Sequence, residues 1–239
     1  MLHSTQCIVL QNIKYADNKV ISKIYTKEFG LINLHQIIGT SKKTKQNATL
    51  FLPLTQLDVT FKYKENKDIH QLIETKCNFL YQNIHSDIYK LCIVQFINEV
   101  MIKCLKDQSK NENLFYFLTN LFKWIDETSE NYTSIHVYFL FEFTKYLGFY
   151  PLNNFSALTP YFNTTDGKFT SASQNYPFGF DKNQSKLLSE LFKQTIGEQV
   201  IFNKQDKKNI LEGLLQYYKL HVANFNELKS YQVLIDTLA

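Results

Sequence analysis

Between Asp58 and Lys64 the chain alternates strictly: Val59, Phe61 and Tyr63 fall on one side, and Thr60, Lys62 and Lys64 on the other. A period of two is the mark of a strand with one face buried. Four more segments, Cys7–Lys14, Lys19–Thr26, Leu31–Ile38 and Ile69–Phe79, are rich in β-branched and apolar residues, and short polar stretches separate them: Ala16 to Asn18, Glu28 to Gly30, and the run from Gly39 to Ala48. Five strands within residues 1–80, with one long basic loop, fit a small closed barrel of the OB type. A β-sandwich fragment or an SH3-like barrel would give much the same pattern, so periodicity alone does not choose among them.

From Ser86 the period becomes helical. Ser86 is placed to cap a helix reaching about Lys106, whose apolar positions, among them Leu91, Phe96, Val100 and Leu105, cover so much of its circumference that it should be largely buried. A second helix carries Leu114, Leu118, Leu121, Phe122 and Ile125. A third runs from Ser134 to Leu147 and ends at Gly148, where a left-handed C-cap glycine belongs. Residues 150–183 hold three of the four prolines and two of the seven glycines, which predicts irregular chain, with Asp166-Gly167 as the turn of a small hairpin. Amphipathic helices through Leu187, Leu188, Leu191 and Phe192, and through Ile210, Leu214, Leu215 and Tyr218, precede a short terminal helix. The expected fold class is α+β with two domains: an OB-fold barrel over 1–80, then an all-α domain over 81–239 with a small irregular insertion near 150–183.

Composition adds a constraint on recognition. All 26 cationic residues are Lys, in a chain also rich in Asn, Ile, Phe and Tyr, the residue set that AT-rich codons encode. Phosphate contacts must then come from ammonium groups, without the bidentate fork that reads guanine edges, and base-specific readout recedes. The net charge of +4 is modest, but its distribution is uneven. Residues 1–80 hold 11 Lys against 6 acidic residues, and residues 81–239 hold 15 against 16. The excess therefore lies in the first third, as an electrostatic footprint for a polyanion would.

Chemistry of other kinds finds little support. The four cysteines, Cys7, Cys77, Cys92 and Cys104, form no CxxC pair, which predicts reduced and mostly buried thiols, with neither a disulfide framework nor a metal site. There is no glycine-rich phosphate loop, no HExxH and no GxSxG, and acidic residues such as Glu127 and Glu130 read as a solvated helix end. The chain is expected to be no enzyme and to need no cofactor. With no signal-peptide pattern and no apolar stretch of spanning length, a cytoplasmic, nucleoid-associated location is expected.

The basic features offer a binding surface instead. Lys42, Lys43 and Lys45 crowd into the presumed loop, Lys14, Lys19, Lys23 and Lys27 lie on or beside the first two strands, and Lys62 and Lys64 share one strand face. Tyr15 could offer a stacking surface beside these charges, the combination that single-strand binders use, and so could Tyr25 unless it is a core aromatic. Each Lys alone is most simply a solvated surface charge; the cluster carries more weight than its members. An RNA-binding barrel is equally compatible with the charge, as is an adaptor whose basic barrel contacts an acidic peptide tail.

Several runs resemble one known family. Cys7-Ile8-Val9-Leu10, Lys14 to Asn18, VISKIYTKEFGL over Val20–Leu31, and Gly39 to Lys43 look like the opening of RecO, a bacterial recombination mediator. Phe51 to Leu54, Leu114 to Leu118, Leu147-Gly148-Phe149 and Leu228 to Leu234 continue the likeness in the same order, the last run pointing to the Bacteroidetes branch. The resemblance implies an N-terminal OB-fold, a helical C-terminal domain, binding of single- and double-stranded DNA, and strand annealing. It also implies partnership with RecR and with the C-terminal tail of single-stranded DNA-binding protein, so that RecA is loaded. Many members carry a four-cysteine zinc site after the position of Leu147-Gly148, whereas residues 150–183 here contain no Cys or His. Zinc is not expected, and packing among Phe155, Leu158, Tyr161, Phe162 and Phe169 is expected in its place.

Overall fold

The computed structural model describes residues 1–37, 50–64, 67–105, 110–172, 179–198 and 202–238. The chain separates into two compact units, Met1–Ser86 with Leu105–Asp126, and Asp87–Cys104 with Glu127–Ala239.

The first unit is built on five strands, β1 (Leu2–Ala16), β2 (Lys19–Thr26), β3 (Gly30–Ile37), β4 (Gln56–Lys62) and β5 (Ile69–Phe79). They close into a barrel in the order β1-β2-β3-β5-β4, antiparallel throughout except for the parallel β3–β5 pair. Closure leaves no unpaired sheet edge. The alternation seen in the sequence becomes inside and outside: Val59 and Phe61 join Cys7, Val9, Ile24, Ile32, Leu34, Phe51 and Leu57 in the interior. Burying each such side chain contributes about 1.5–3 kcal/mol. Two polar side chains, Ser22 and Gln36, share the interior: Gln36 Nε2 donates to Ser22 Oγ at 2.6 Å, and Ser22 donates to Oδ1 of the more exposed Asn12 at 2.6 Å.

Strands β2 and β5 have the bounds that their β-branched and apolar runs predict, while β1 starts five residues early, at Leu2. Its first residues are polar, yet they pair with β4 from Leu2↔Lys62 to Ile8↔Gln56. Beyond Val9 a bulge shifts the register, so that Gln11 pairs with Lys23. Odd residues of β1 therefore point inward up to Val9 and outward from Gln11 on, the parity change that one extra residue imposes.

Outward residues at one end of β1 and β2 are also buried. Ile8 and Tyr25 are fully buried, and the Tyr25 ring stacks on Phe115 with centroids 6.5 Å apart. Phe115 belongs to the second of the two long helices after the barrel, α1 (Ile88–Cys104) and α2 (Glu112–Glu127). Tyr25 is thus a core residue and offers no stacking surface.

In the second unit, α1 is capped by Asp87, not Ser86: Asp87 Oδ1 accepts from the N–H of Tyr89 and Lys90 at 2.8 and 3.2 Å, while the Ser86 hydroxyl donates to Asn83 O. A carboxylate at this place also meets the positive helix end, an advantage a hydroxyl lacks. A 3-10 turn (Tyr132–Ser134) leads into α3 (Ile135–Leu147), which ends at Gly148 with φ 87°, as expected for a left-handed cap. A hairpin of β6 (Tyr161–Asn163) and β7 (Lys168–Thr170) follows, its connection containing Asp166 and Gly167. The helices α4 (Lys182–Leu191), α5 (Lys204–His221) and α6 (Lys229–Leu238) complete the unit.

Packing around the hairpin corrects one expectation. Phe155, Phe162 and Phe169 cluster through ring contacts of 5.1–5.3 Å, but Leu158 is 82% exposed. It sits in the tight turn bounded by the Ser156–Thr159 bridge, where its own N–H is held by Ser156 Oγ and its side chain projects from the tip. Phe180 and Tyr217 fill the cluster instead, each against Phe162. These rings give zinc no ligands, and among the described residues no group of three or more His, Cys, Asp or Glu could hold a metal.

Candidate nucleic-acid interface

The registers of the barrel fix which side chains share its outer surface. Lys62 on β4 pairs with Gln71 on β5, Gln71 with His35 on β3, His35 with Ile21 on β2, and Ile21 with Ile13 on β1. All five lie opposite in parity to interior residues such as Phe61, His70 and Leu34, so they form one outward row. At about 4.8 Å per strand, Lys62 and Ile21 are about 14 Å apart along it. A second row joins Ile69, Asn33, Lys23 and Gln11, and a third joins Ile37 to Lys19.

Closure of the barrel explains how Lys62 reaches this surface. The row leaves β1 at Leu2, the other partner of Lys62, and returns to β1 at Ile13, eleven residues further on. Strand tilt and stagger in a closed barrel produce this offset.

The surface pairs charge with apolar area. Lys19, Lys62 and Gln71 are exposed, Lys23, Asn33 and His35 are half-buried, and Ile13 and Ile37 are half-exposed. None of the row positions is a carboxylate. Lys14 and Tyr15 join the same region at the β1–β2 tip, where Tyr15 is 71% exposed. Lys14 lies 4.0 Å from Asp17, a fully exposed pair of little energetic weight. An OB barrel uses the outer face of its second and third strands, with the β1–β2 and β4–β5 connections, to hold oligonucleotides. Lys14, Tyr15, Lys19 and Lys23 occupy the first of these connections and the β2 part of that face. Lys64, with Lys67, lies in the second connection, where its N–H donates to His70 Nδ1 at 3.4 Å.

Two groups of sequence candidates stand apart. Lys27 lies just past the other end of β2, its Nζ 5.1 Å from the centre of the Tyr116 ring, and a hydrogen bond to Tyr116 holds its ammonium above the usual lysine range. Lys42, Lys43 and Lys45 lie outside the described residues. Conversely, the rows include His35, Gln71, Asn33 and Gln11, which charge counting misses. The signal that finds them is strand parity combined with register, and the register between β3 and β5 is not written in either strand alone.

Among the described residues no helix is long and apolar enough to cross a membrane. Sequence comparison agrees with the architecture along nearly the whole chain. The family described as "Recombination protein O N terminal" matches residues 1–80, and "Recombination protein O C terminal" matches residues 85–232. The "DNA repair protein RecO" of Christiangramia forsetii is 33% identical over 237 residues, covering 98% of each chain. Its namesake from Flavobacterium johnsoniae is 30% identical, covering 96% of each, and that from Porphyromonas gingivalis 27% identical, covering 98% of each. With both halves matched in order and no large part of the chain left over, the protein belongs to the recombination protein O family, RecO.

Proposed function

We propose that this chain is a non-enzymatic DNA repair protein, a recombination mediator that holds DNA on the outer face of its barrel. The observation that carries the reading is the carboxylate-free set of rows in which Lys19, Lys23 and Lys62 stand among Ile, Gln, Asn and His side chains. Ammonium groups hold phosphates without regard to sequence, and neutralising two backbones together favours annealing with no chemical step. Lys14 and Tyr15 extend this surface at one rim and Lys64 at another, and Lys42, Lys43 and Lys45 belong to the proposed DNA contacts as well. Lys27 is the weakest member, since its charge is engaged with Tyr116.

Anisotropy of a labelled oligo-dT tests the reading. Affinity is expected to fall steeply with salt, log K against log salt having a slope of about −0.7 per phosphate neutralised on a single strand. Replacing Lys19, Lys23 and Lys62 together by Ala should flatten that slope by about two to three phosphate equivalents. An unchanged slope in the triple variant removes the DNA contact from this face.

Family membership supports the partners as part of the same proposal: RecR, the C-terminal tail of single-stranded DNA-binding protein, and through them RecA. One observation on the helical unit favours a peptide contact there. Lys204, Lys207 and Lys208 border a small cleft lined by Leu211, Leu234, Ile235 and Leu238, a match for an acidic tail with an apolar end. Titration with such a tail should saturate, and Lys204→Glu with Lys208→Glu should abolish it while leaving oligo-dT binding intact.

A further inference from the structure

The outer rows contain one imidazole, and it lies at their centre. His35 is half-buried on β3, opposite Ile21 of β2 and Gln71 of β5. Ile21 is flanked along β2 by Lys19 and Lys23, which face the same way, so both ammonium-bearing residues are diagonal neighbours of His35, with backbones about 7–8 Å away. Lys62 stands one strand beyond Gln71.

The other groups around His35 leave it without a carboxylate partner on the rows. On β5, Gln71 and Ile69 carry no charge, and neither do Asn33 and Ile37 on β3 itself. Among the described residues the acids next to these rows lie at the margins: Asp68 in the β4–β5 connection, whose backbone carbonyl accepts from Asn33 Nδ2 at 3.3 Å, Glu74, which pairs with Lys76 at 3.6 Å, and Asp17 in the β1–β2 turn, 4.0 Å from Lys14. A phosphate arriving between Lys19, Lys23 and Lys62 would be the anion that faces the ring.

We propose that His35 is a proton-linked phosphate contact, taking up a proton from solvent as the DNA backbone settles on the barrel, so that DNA affinity rises as pH falls through neutrality. The proposal rests on the reading of this face as the DNA surface and adds a residue and a regulation to it. An opposite charge within about 4–6 Å favours the charged form of a titrating group. Protonated imidazole has two N–H donors and a full charge, whereas neutral imidazole has one donor. Histidine is the side chain whose charge changes in the physiological range, while the lysines and the phosphodiesters stay ionised across it. The protein would therefore grip DNA with one more cation in mildly acidic conditions than in mildly basic ones.

The test is oligo-dT anisotropy at fixed ionic strength, at about pH 8 and about pH 6. Wild type is expected to bind about fivefold or more tightly at the lower pH, because proton uptake can add up to about tenfold per pH unit. His35→Gln should lose most of the gain between the two pH values, whatever its affinity at the higher one. His35→Lys should bind tightly at both, with little pH dependence, which also shows that the position tolerates replacement. If His35→Gln keeps the full gain, or wild type shows none, the proposal is overturned. A Lys19→Glu, Lys23→Glu variant separates the two levels of the reading. If it binds as wild type at both pH values, the DNA face itself is wrong; if it loses binding while His35→Gln keeps the gain, only the histidine link is wrong.

Discussion

Asp126, at the end of α2, accepts the backbone N–H of Ile84 at 2.9 Å through Oδ1. The same carboxylate accepts from the N–H of Asn83 at 2.8 Å and of Gln82 at 2.9 Å, and Asn83 Nδ2 donates back to the Asp126 carbonyl. With Asp126 only 1% exposed, this is an anion bound by a backbone nest rather than a solvated acid.

Removing it takes the acceptor from three backbone donors, that of buried Ile84 among them. Asp126→Ala is expected to destabilise the protein by about 3 kcal/mol, the usual cost of breaking a buried charge contact, and Asp126→Asn by less. Urea denaturation followed by circular dichroism measures both. A loss below experimental error in the Ala variant would show that the carboxylate does not hold the segment after β5.

Burial of His136 makes stability depend on pH. The ring is 1% exposed, Nδ1 lacks a hydrogen-bond partner, and desolvation, aided by the charge of Lys207, pushes its pKa down to about 3. Unfolded, the ring titrates near 6.5, so between those values the unfolded chain binds a proton that the folded one refuses. Stability is thus full above about pH 6.5 and declines as pH falls, by about 2 kcal/mol at pH 5 from this group. His136→Phe should remove that share of the slope in denaturation curves taken across this range.

Gly213 reverses a general rule. Glycine inside a helix is ordinarily about 1 kcal/mol worse than alanine, so Gly→Ala stabilises. In α5 a Cβ at Gly213 would meet the Phe180 ring, with Cζ at 2.6 Å, and that ring is 5% exposed and packed on Phe162 at 5.3 Å. Gly213→Ala is therefore expected to destabilise by about 1–2 kcal/mol, lowering the midpoint of thermal unfolding by a few degrees. A rise in the midpoint would show that Phe180 yields at no cost.

Two tyrosines on neighbouring strands should separate binding from folding. Tyr15→Ala is expected to weaken oligo-dT binding by about 1–3 kcal/mol if the ring stacks on a base, with the melting temperature unchanged. Tyr25→Ala should cost about 3–5 kcal/mol of stability, because that ring is fully buried against Phe115. Anisotropy and thermal melts on both variants give the comparison, and a Tyr15 variant that binds as wild type removes stacking from the tip of the hairpin.

Local composition and pattern locate the strands well. β2 and β5 begin and end where runs of β-branched and apolar residues predict, alternation marks β4 to within two residues at each end, and Gly148 caps α3 as its position predicts. Long-range pairing did not show in the same way. Leu2–Gln6 is too polar to read as strand, and it becomes one because β4 pairs with it from outside the local window. The stacking of Phe115 on Tyr25 joins residues 90 positions apart, so nothing local to Tyr25 decides between core and surface. Among the candidate contacts, lysines were easy to count, but counting gave the same weight to Lys62, in the central row, and to Lys27, held by Tyr116. His35 and Gln71 were invisible to charge and emerged only from the parallel β3–β5 register.

The bulge after Val9 has a consequence for how this strand can change over time. One inserted residue turns the second half of β1 over, so that Ile13 faces outward although Cys7 and Val9, of the same parity, face the core. A single-codon deletion at Leu10 would only remove the extra residue, leaving Val9 inward and Gln11 outward as ordinary neighbours, whereas a deletion at Asn12 would carry Ile13 into the inward place opposite Ser22. The bulge is thus the one place in this stretch where β1 can shed a residue without turning the wall over; past Gln11, each residue's side is locked to the length of the strand before it.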